Sequence, residues 1–277
     1  MTSFIARRGA LVLASVFVLG LAASASAQTP PPATPRVDAI KKAGVLRVGV
    51  LANPPWLTEN TKNPQQPWGG PAWTLAVEAA NRMGVKVQPI AVSHETKVPV
   101  LATNQVDISI TALAETPERL KVVDFISYSN TSVCMFGRAN NAKFMAAKTV
   151  DDLNKAEVTI AYITGGAEET WVPQRFPQAK TRGAVNTGSP APIEEIMAGR
   201  ADAAPINRIQ WLAVSKKVKG LAALPKENDC QGSQEKAQPV GVAIDKGQDA
   251  WLAWLRGVAK EIQDKLTAEE LSIANAD

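Results

Sequence analysis

Val98-Pro99-Val100-Leu101-Ala102-Thr103-Asn104-Gln105-Val106-Asp107-Ile108-Ser109-Ile110-Thr111-Ala112-Leu113-Ala114-Glu115-Thr116-Pro117-Glu118-Arg119 reads as helix, strand and helix in quick succession. Residues 98–103 form a brief helix closed by Asn104, which tolerates the left-handed cap conformation. Residues 106–113 are a mostly apolar strand, the pattern of a strand buried on both faces. Thr116 is a helix N-cap, Pro117 stands at the first helical position, and Glu118 puts an acid in the first turn.

The same grammar extends outward. Residues 45–51 are a β-branched strand. In residues 73–83 the apolar positions recur at helical spacing, and Gly84 sits where a C′ glycine ends a helix. Residues 86–90 are the next strand. Strand, helix, strand, helix is βαβ construction, which predicts an α/β fold with a parallel sheet. Further on, Thr149-Val150-Asp151-Asp152 has the shape of a capping box, residues 158–162 are a strand, and Gly165-Gly166 precede a helix running toward Phe176. Residues 193–198 form a helix closed by Gly199, and residues 201–206 a strand. Leu101-Ala102-Thr103-Asn104-Gln105-Val106-Asp107 and Ile196-Met197-Ala198-Gly199-Arg200-Ala201-Asp202 echo each other: helix end, cap residue, two residues, aspartate. The echo predicts two α/β lobes built alike. Ligands in open α/β sheets gather beyond the carboxyl ends of the strands, here residues 111–114 and 206–207.

The ends of the chain speak to its compartment. Arg7 and Arg8 precede an apolar stretch, residues 10–21, and Ala25-Ser26-Ala27 offers small residues where a signal peptidase cuts. That predicts a signal peptide over residues 1–27, removed after Ala27, and a soluble protein exported to the periplasm. The apolar stretch is shorter than the roughly 20 residues a membrane-spanning helix needs. Residues 28–36, rich in proline, read as a stiff spacer. The net charge of +4, of which Arg7 and Arg8 supply two, comes with no basic run interleaved with aromatics, so no nucleic-acid partner is expected. Cys134 and Cys230 are too far apart for a CxxC redox or zinc motif, and outside the cytoplasm such a pair favours a disulfide.

The order of segments then resembles a family. Gly44-Val45-Leu46-Arg47-Val48-Gly49-Val50 with Asn53-Pro54-Pro55-Trp56 is similar to the opening strand and aromatic-bearing loop of bacterial family 3 solute-binding proteins, receptors of amino-acid ABC transporters. Val98-Pro99-Val100-Leu101, Val106-Asp107-Ile108 and Thr116-Pro117-Glu118-Arg119-Leu120 followed by Asp124-Phe125 match that family's signature in order and spacing. Lys148-Thr149-Val150-Asp151-Asp152-Leu153, Gly199-Arg200-Ala201-Asp202-Ala203 and Pro239-Val240-Gly241-Val242 resemble its later segments. The resemblance implies a periplasmic-binding-protein-like clamshell with two hinge crossovers. Lobe 1 would be residues 37–130 and 238–277, and lobe 2 residues 131–237, with Cys134 and Cys230 meeting beside the hinge. It also implies a monomer without cofactor that binds a small carboxylate-bearing solute, an amino acid or related organic acid, and delivers it to an inner-membrane ABC permease.

Arg119 is the leading site residue, since a guanidinium fork matches two carboxylate oxygens. The resemblance gives it that role. Trp56 is either an aromatic wall of the cleft or a loop tryptophan filling core. Thr111, Ala112 and Ala114 act through strand-end backbone, with Thr111 adding a hydroxyl. Gly165, Gly166 and Ala167 either meet the carboxylate from lobe 2 or only start a helix. Asn207 stands where the family commonly has an aspartate facing an α-ammonium, so the solute is expected not to rely on this position to neutralise one. Trp251, Leu252, Trp254, Leu255, Val258 and Ile262 mark a core-facing helix. His94, the sole histidine, reads as a solvated loop residue and leaves no triad or histidine-based metal site. An enzyme on the same scaffold, a cyclohexadienyl-type dehydratase, would need an acid such as Glu168, Glu169 or Glu115, although Glu168 and Glu169 read as solvated helix acids. A ligand-sensing receptor for a membrane kinase is the other alternative.

Overall fold

The computed structural model describes residues 29–185 and 191–276; the expected signal peptide lies outside them. The first unit opens with α1 (Pro35–Ala43), β1 (Val45–Val50), the short pair β2 (Thr58–Glu59) and β3 (Trp68–Gly69), α2 (Pro71–Met83) and β4 (Lys86–Ala91). It continues through α3 (Pro99–Ala102), β5 (Ile108–Ala114), α4 (Pro117–Leu120) and β6 (Val123–Thr131). The second unit holds β7 (Val133–Arg138), α5 (Ala142–Ala146), β8 (Thr159–Ile163), α6 (Glu168–Arg175), β9 (Lys180–Ala184), α7 (Ala191–Met197), β10 (Ala204–Asn207), α8 (Arg208–Lys217) and β11 (Leu221–Leu224). The chain then returns to the first unit with β12 (Gln238–Asp245), α9 (Asp249–Glu261) and α10 (Gln263–Asn275).

The helix signals in the sequence are realised at the atomic level. Thr116 Oγ accepts from the Arg119 backbone N–H at 3.3 Å, and Asn104, Gly84 and Gly199 all take the left-handed conformation at helix ends. The spacer reading needs one correction. Thr34 caps α1 and Pro35 is its first residue, because proline's missing N–H costs nothing there. The capping box at Thr149 does form, but it heads only a 3-10 turn, Val150–Leu153.

The first sheet has the order β4-β1-β5-β12-β6. Strand β1 runs parallel to β4 and β5 as βαβ construction demands, whereas β12 is antiparallel to both β5 and β6. The parallel sheet expected from the sequence is present in β4-β1-β5, and β12, which enters from the far unit rather than by a helical crossover, makes the whole sheet mixed. In the second unit β7 is antiparallel to β10 and β11, β8 is parallel to β9, and a bridge from Ile160 to Ala203 joins the two pairs.

Each unit has its own apolar core. Leu46, Val48, Leu75, Ile110 and Trp251 are buried in the first, with Trp251 stacked on Trp254 at 5.5 Å. Met135, Phe144, Ile160 and Phe176 are buried in the second. The echoing aspartates do the same work in both. Asp107 Oδ2 accepts from the Arg47 N–H at 2.9 Å while its own N–H donates to the Arg47 carbonyl. Asp202 treats Thr159 in the same way, at 2.9 Å. Each carboxylate thus locks the edge of one strand to the start of another.

The two passages between units lie side by side. Thr131 pairs with Gln238, and the Val133 N–H donates to the Glu235 carbonyl. Cys134 and Cys230 are bonded, with Cα atoms 5.9 Å apart, and both are buried among Phe136 and Trp211. Thiol labelling of the unfolded, unreduced protein should accordingly find no free cysteine; two labelled thiols per chain would contradict the pairing. Among the described residues, no helix is long and apolar enough to cross a membrane.

Candidate functional site

Strand β5 is irregular where it ends. Leu113 pairs with Gly241 but Ser109 with Ala243, so the intervening residues bulge, and Ala112 takes φ +53°. An alanine held in the left-handed region costs about 1–2 kcal/mol, strain of the kind that accumulates at functional sites. The bulge turns the Thr111 and Ala112 carbonyls toward Asn53, whose Nδ2 lies 3.4 and 3.5 Å away. Thr111 Oγ1 is buried and, among the described residues, has no hydrogen-bond partner. A buried hydroxyl left unsatisfied costs on the order of 1–3 kcal/mol, which a polar solute group would relieve.

Arg119 stands where the two units meet. Its Nη1 donates to the Ala114 carbonyl at 2.9 Å, and its Nη2 reaches the Gly165 carbonyl of the opposite unit at 3.5 Å. Burial lowers its pKa from the ordinary guanidinium value, against the attraction of Glu168. Gly165 has φ +74°, and a β-carbon there would lie 2.7 Å from backbone atoms of His94 and Glu95. Its neighbours Gly166 and Ala167 complete the turn into α6.

A cavity of about 450 Å³ lies between the units. Its polar wall comprises Asn53, His94, Glu168, Asn207, Gln210 and Lys217, and its apolar wall includes Ile163, Ile206, Ile209 and Val214. Arg119 does not line this space; Glu168, which does, acts on Arg119 by charge. Asn207 accepts from Thr131 Oγ1 at 3.4 Å and donates to Gln210 Oε1 at 3.1 Å. Gln210 Nε2 in turn donates across the cleft to Asn53 Oδ1 at 2.6 Å and the Pro54 carbonyl at 2.8 Å.

Three expectations are corrected here. Trp56 is 1% exposed, packs into the first core and donates through Nε1 to Ser129 Oγ at 3.2 Å, so it offers no ring face to a solute. His94 is half-buried and lines the cavity instead of standing in solvent. Burial, then the nearby Lys97 charge, lowers its pKa to about 4, so at neutral pH its Nδ1 accepts from Lys97 Nζ at 2.9 Å. Glu168 faces the cavity, while Glu169 accepts from the Gly165 N–H and Glu115 from Ser127 Oγ.

Lys97 was not anticipated from the sequence. It is 6% exposed, and burial, reinforced by Arg119, depresses its pKa to about 7. The folded state therefore binds fewer protons than the unfolded state between about pH 7 and the ordinary lysine range. The destabilising contribution is fully present below pH 7 and fades as pH rises. Lys97→Met should stabilise the unliganded protein by about 2 kcal/mol at pH 6, with the gain shrinking toward pH 10. Urea unfolding at both pH values checks this, and equal effects at both would refute it.

A family model described as bacterial extracellular solute-binding proteins, family 3, matches residues 46–273. The chain belongs to this family. Solved structures resemble this solute-binding protein over most of its length. The ancestral amino acid-binding protein AncCDT-1, a precursor of cyclohexadienyl dehydratase, is 28% identical with a TM-score of 0.70, covering 84% of this chain and 98% of its own. An amino acid ABC transporter substrate-binding protein from Streptococcus pneumoniae, bound to L-arginine, is 23% identical with a TM-score of 0.72 (86% and 95% covered). A binding component of an ABC transporter from Wolinella succinogenes, complexed with lysine, is 24% identical with a TM-score of 0.70 (84% and 97% covered). At those last two identities the likeness carries the fold and not the ligand. No curated protein sequence matches.

Proposed function

We propose that this solute-binding protein closes two lobes, residues 37–130 with 238–277 and residues 131–237, on a small carboxylate-bearing solute in the periplasm and presents it to an inner-membrane ABC permease. The observation that carries the reading is the position of Arg119, whose guanidinium spans carbonyls of both units. A carboxylate replacing those carbonyls makes two charge-assisted bonds to Arg119 of the first lobe, and only when the units are together does it also meet the Gly165 turn of the second. A ligand that gains contacts only in the closed form shifts the equilibrium toward it, and no bond need be made or broken. The unpartnered Thr111 hydroxyl supplies a further polar group from the first lobe, while Gly165, Gly166 and Asn207 form the second lobe's side of the site. The test is native mass spectrometry of freshly exported protein, followed by small-angle scattering with the co-purified molecule removed and restored. A carboxylate whose addition compacts the protein supports the reading; a compaction indifferent to any carboxylate sinks it.

A dehydratase on the same scaffold is the second reading, favoured by Glu168 facing the cavity as the sole acid among its described lining residues. Incubation with prephenate or arogenate distinguishes it: aromatic product lost in Glu168→Gln would establish an enzyme.

A further inference from the structure

Behind Glu168 and His94, which line the cavity, the junction of the units holds more buried positive charge than one carboxylate neutralises. Arg119, Lys97 and Lys236 all interact with Glu168 by charge. Of the three, Lys236 has claimed that acid. Its Nζ lies 3.9 Å from Glu168 Oε1 and donates to Gln238 Oε1 at 2.9 Å. Lys236 holds this place from a left-handed backbone, φ +49°, in the second passage between the units. Arg119 is bonded only to main-chain carbonyls, and Lys97 to a neutral imidazole. Among the described residues, no carboxylate lies within ion-pairing distance of either. Glu95 and Glu118, the other acids acting on this group, are exposed, so water screens them.

Below about pH 7, where Lys97 keeps its proton, two enclosed cations without a paired carboxylate are costly unless something anionic meets both. A zwitterionic amino acid brings one carboxylate and adds an ammonium. The position that would face that ammonium, Asn207, carries no charge to neutralise it, and its amide nitrogen donates to Gln210. A cationic amino acid adds still more positive charge to the same space.

Resting on the proposed solute-binding role, we infer that the natural solute carries two acidic groups, one seated on Arg119 and the other on the Lys97 ammonium that His94 orients. The class is a dicarboxylate or an equivalent dianion, with its carbon body directed past His94 and Glu168 into the apolar cavity. Lys97 is then the residue that separates diacids from monoacids, and Arg119 the one that every acid requires.

The experiment is calorimetric titration of the exported chain at pH 6.5 with matched pairs differing by one carboxylate. The pairs are glutarate against pentanoate, and benzylsuccinate against 4-phenylbutanoate; L-glutamate against L-glutamine adds a pair that carries an ammonium. In at least one pair the diacid should bind tenfold or more tightly than its mate. Lys97→Met should remove that preference while leaving the monoacid within twofold, and Lys97→Arg should restore part of it. Equal affinities within every pair, with Arg119→Ala still abolishing binding, would overturn the diacid inference and leave the solute-binding reading standing. A Lys97→Met variant that weakens both members of a pair equally would show a structural role for the lysine and also overturn it. Absence of binding by any acid, with no acid co-purifying, would remove both readings together.

Discussion

Arg119→Ala should weaken binding of the carboxylate solute by about a hundredfold, near 3 kcal/mol, while the protein still folds. The magnitude follows from removing one partner of a charge-assisted pair in a largely desolvated cleft, which costs on the order of 2–5 kcal/mol. The fold should survive because the side chain sits at the junction of the units and bonds only the Ala114 and Gly165 carbonyls, which water can solvate once it is gone. Arg119→Lys should also bind poorly, since a point charge cannot reproduce the planar fork. Isothermal titration reads both variants, and wild-type affinity in the alanine variant would take Arg119 out of the site.

Gly165→Ala should lower affinity by a comparable factor through a different cause. A methyl group at this position would sit 2.7 Å from the His94 carbonyl carbon and the Glu95 nitrogen, and 2.8 Å from the His94 oxygen. These are backbone atoms of the opposite unit, so the closed form cannot accommodate the methyl without moving apart. The backbone itself, at φ +74°, adds about 1 kcal/mol of strain that is indifferent to closure. Gly84→Ala separates the two effects: φ is +72° there, yet nothing lies within 4 Å of the added carbon. Both variants should lose similar thermal stability, but only Gly165→Ala should bind weakly and fail to compact in scattering when the solute is added. Equal affinities in the two would show that the close approach has no role in closure.

Local features of the fold were readable because they are written in short-range chemistry. The caps at Asn104, Thr116 and Gly199 depend on residues within one turn of themselves. The aspartates at 107 and 202 were visible as an echo, and their common bonding to Arg47 and Thr159 explains why it exists. Strand direction was less accessible. The burial pattern of β12 is that of a central strand whichever way it runs, and its antiparallel placement follows from re-entry after the whole second unit. Within the candidate site, Arg119 was singled out by its motif, whereas the burial of Lys97 and His94 was not foreseen. They lie in a polar loop whose composition signals solvent, and they are enclosed only because the Gly165 turn, some seventy positions later, closes over that loop. Trp56 misled for the converse reason: the Pro54-Pro55 segment brings the indole down onto Ser129, a partner that local spacing cannot announce.

The bridge from Gln210 to Asn53 and Pro54 has a consequence for how selectivity and affinity divide. These bonds join one unit to the other, so on the proposed two-lobe reading they favour the shut form before any solute enters. That contribution scales every ligand's apparent dissociation constant by one shared factor, separate from any contact that Asn53 and Gln210 make as part of the cavity wall. On that reading, a change at position 210 that removes the bridge shifts the concentration range over which the protein fills. On the diacid reading, changes at 97 act the other way, on the choice between diacids and monoacids. Sensitivity would then rest chiefly on the bridge at Gln210 and discrimination on Lys97.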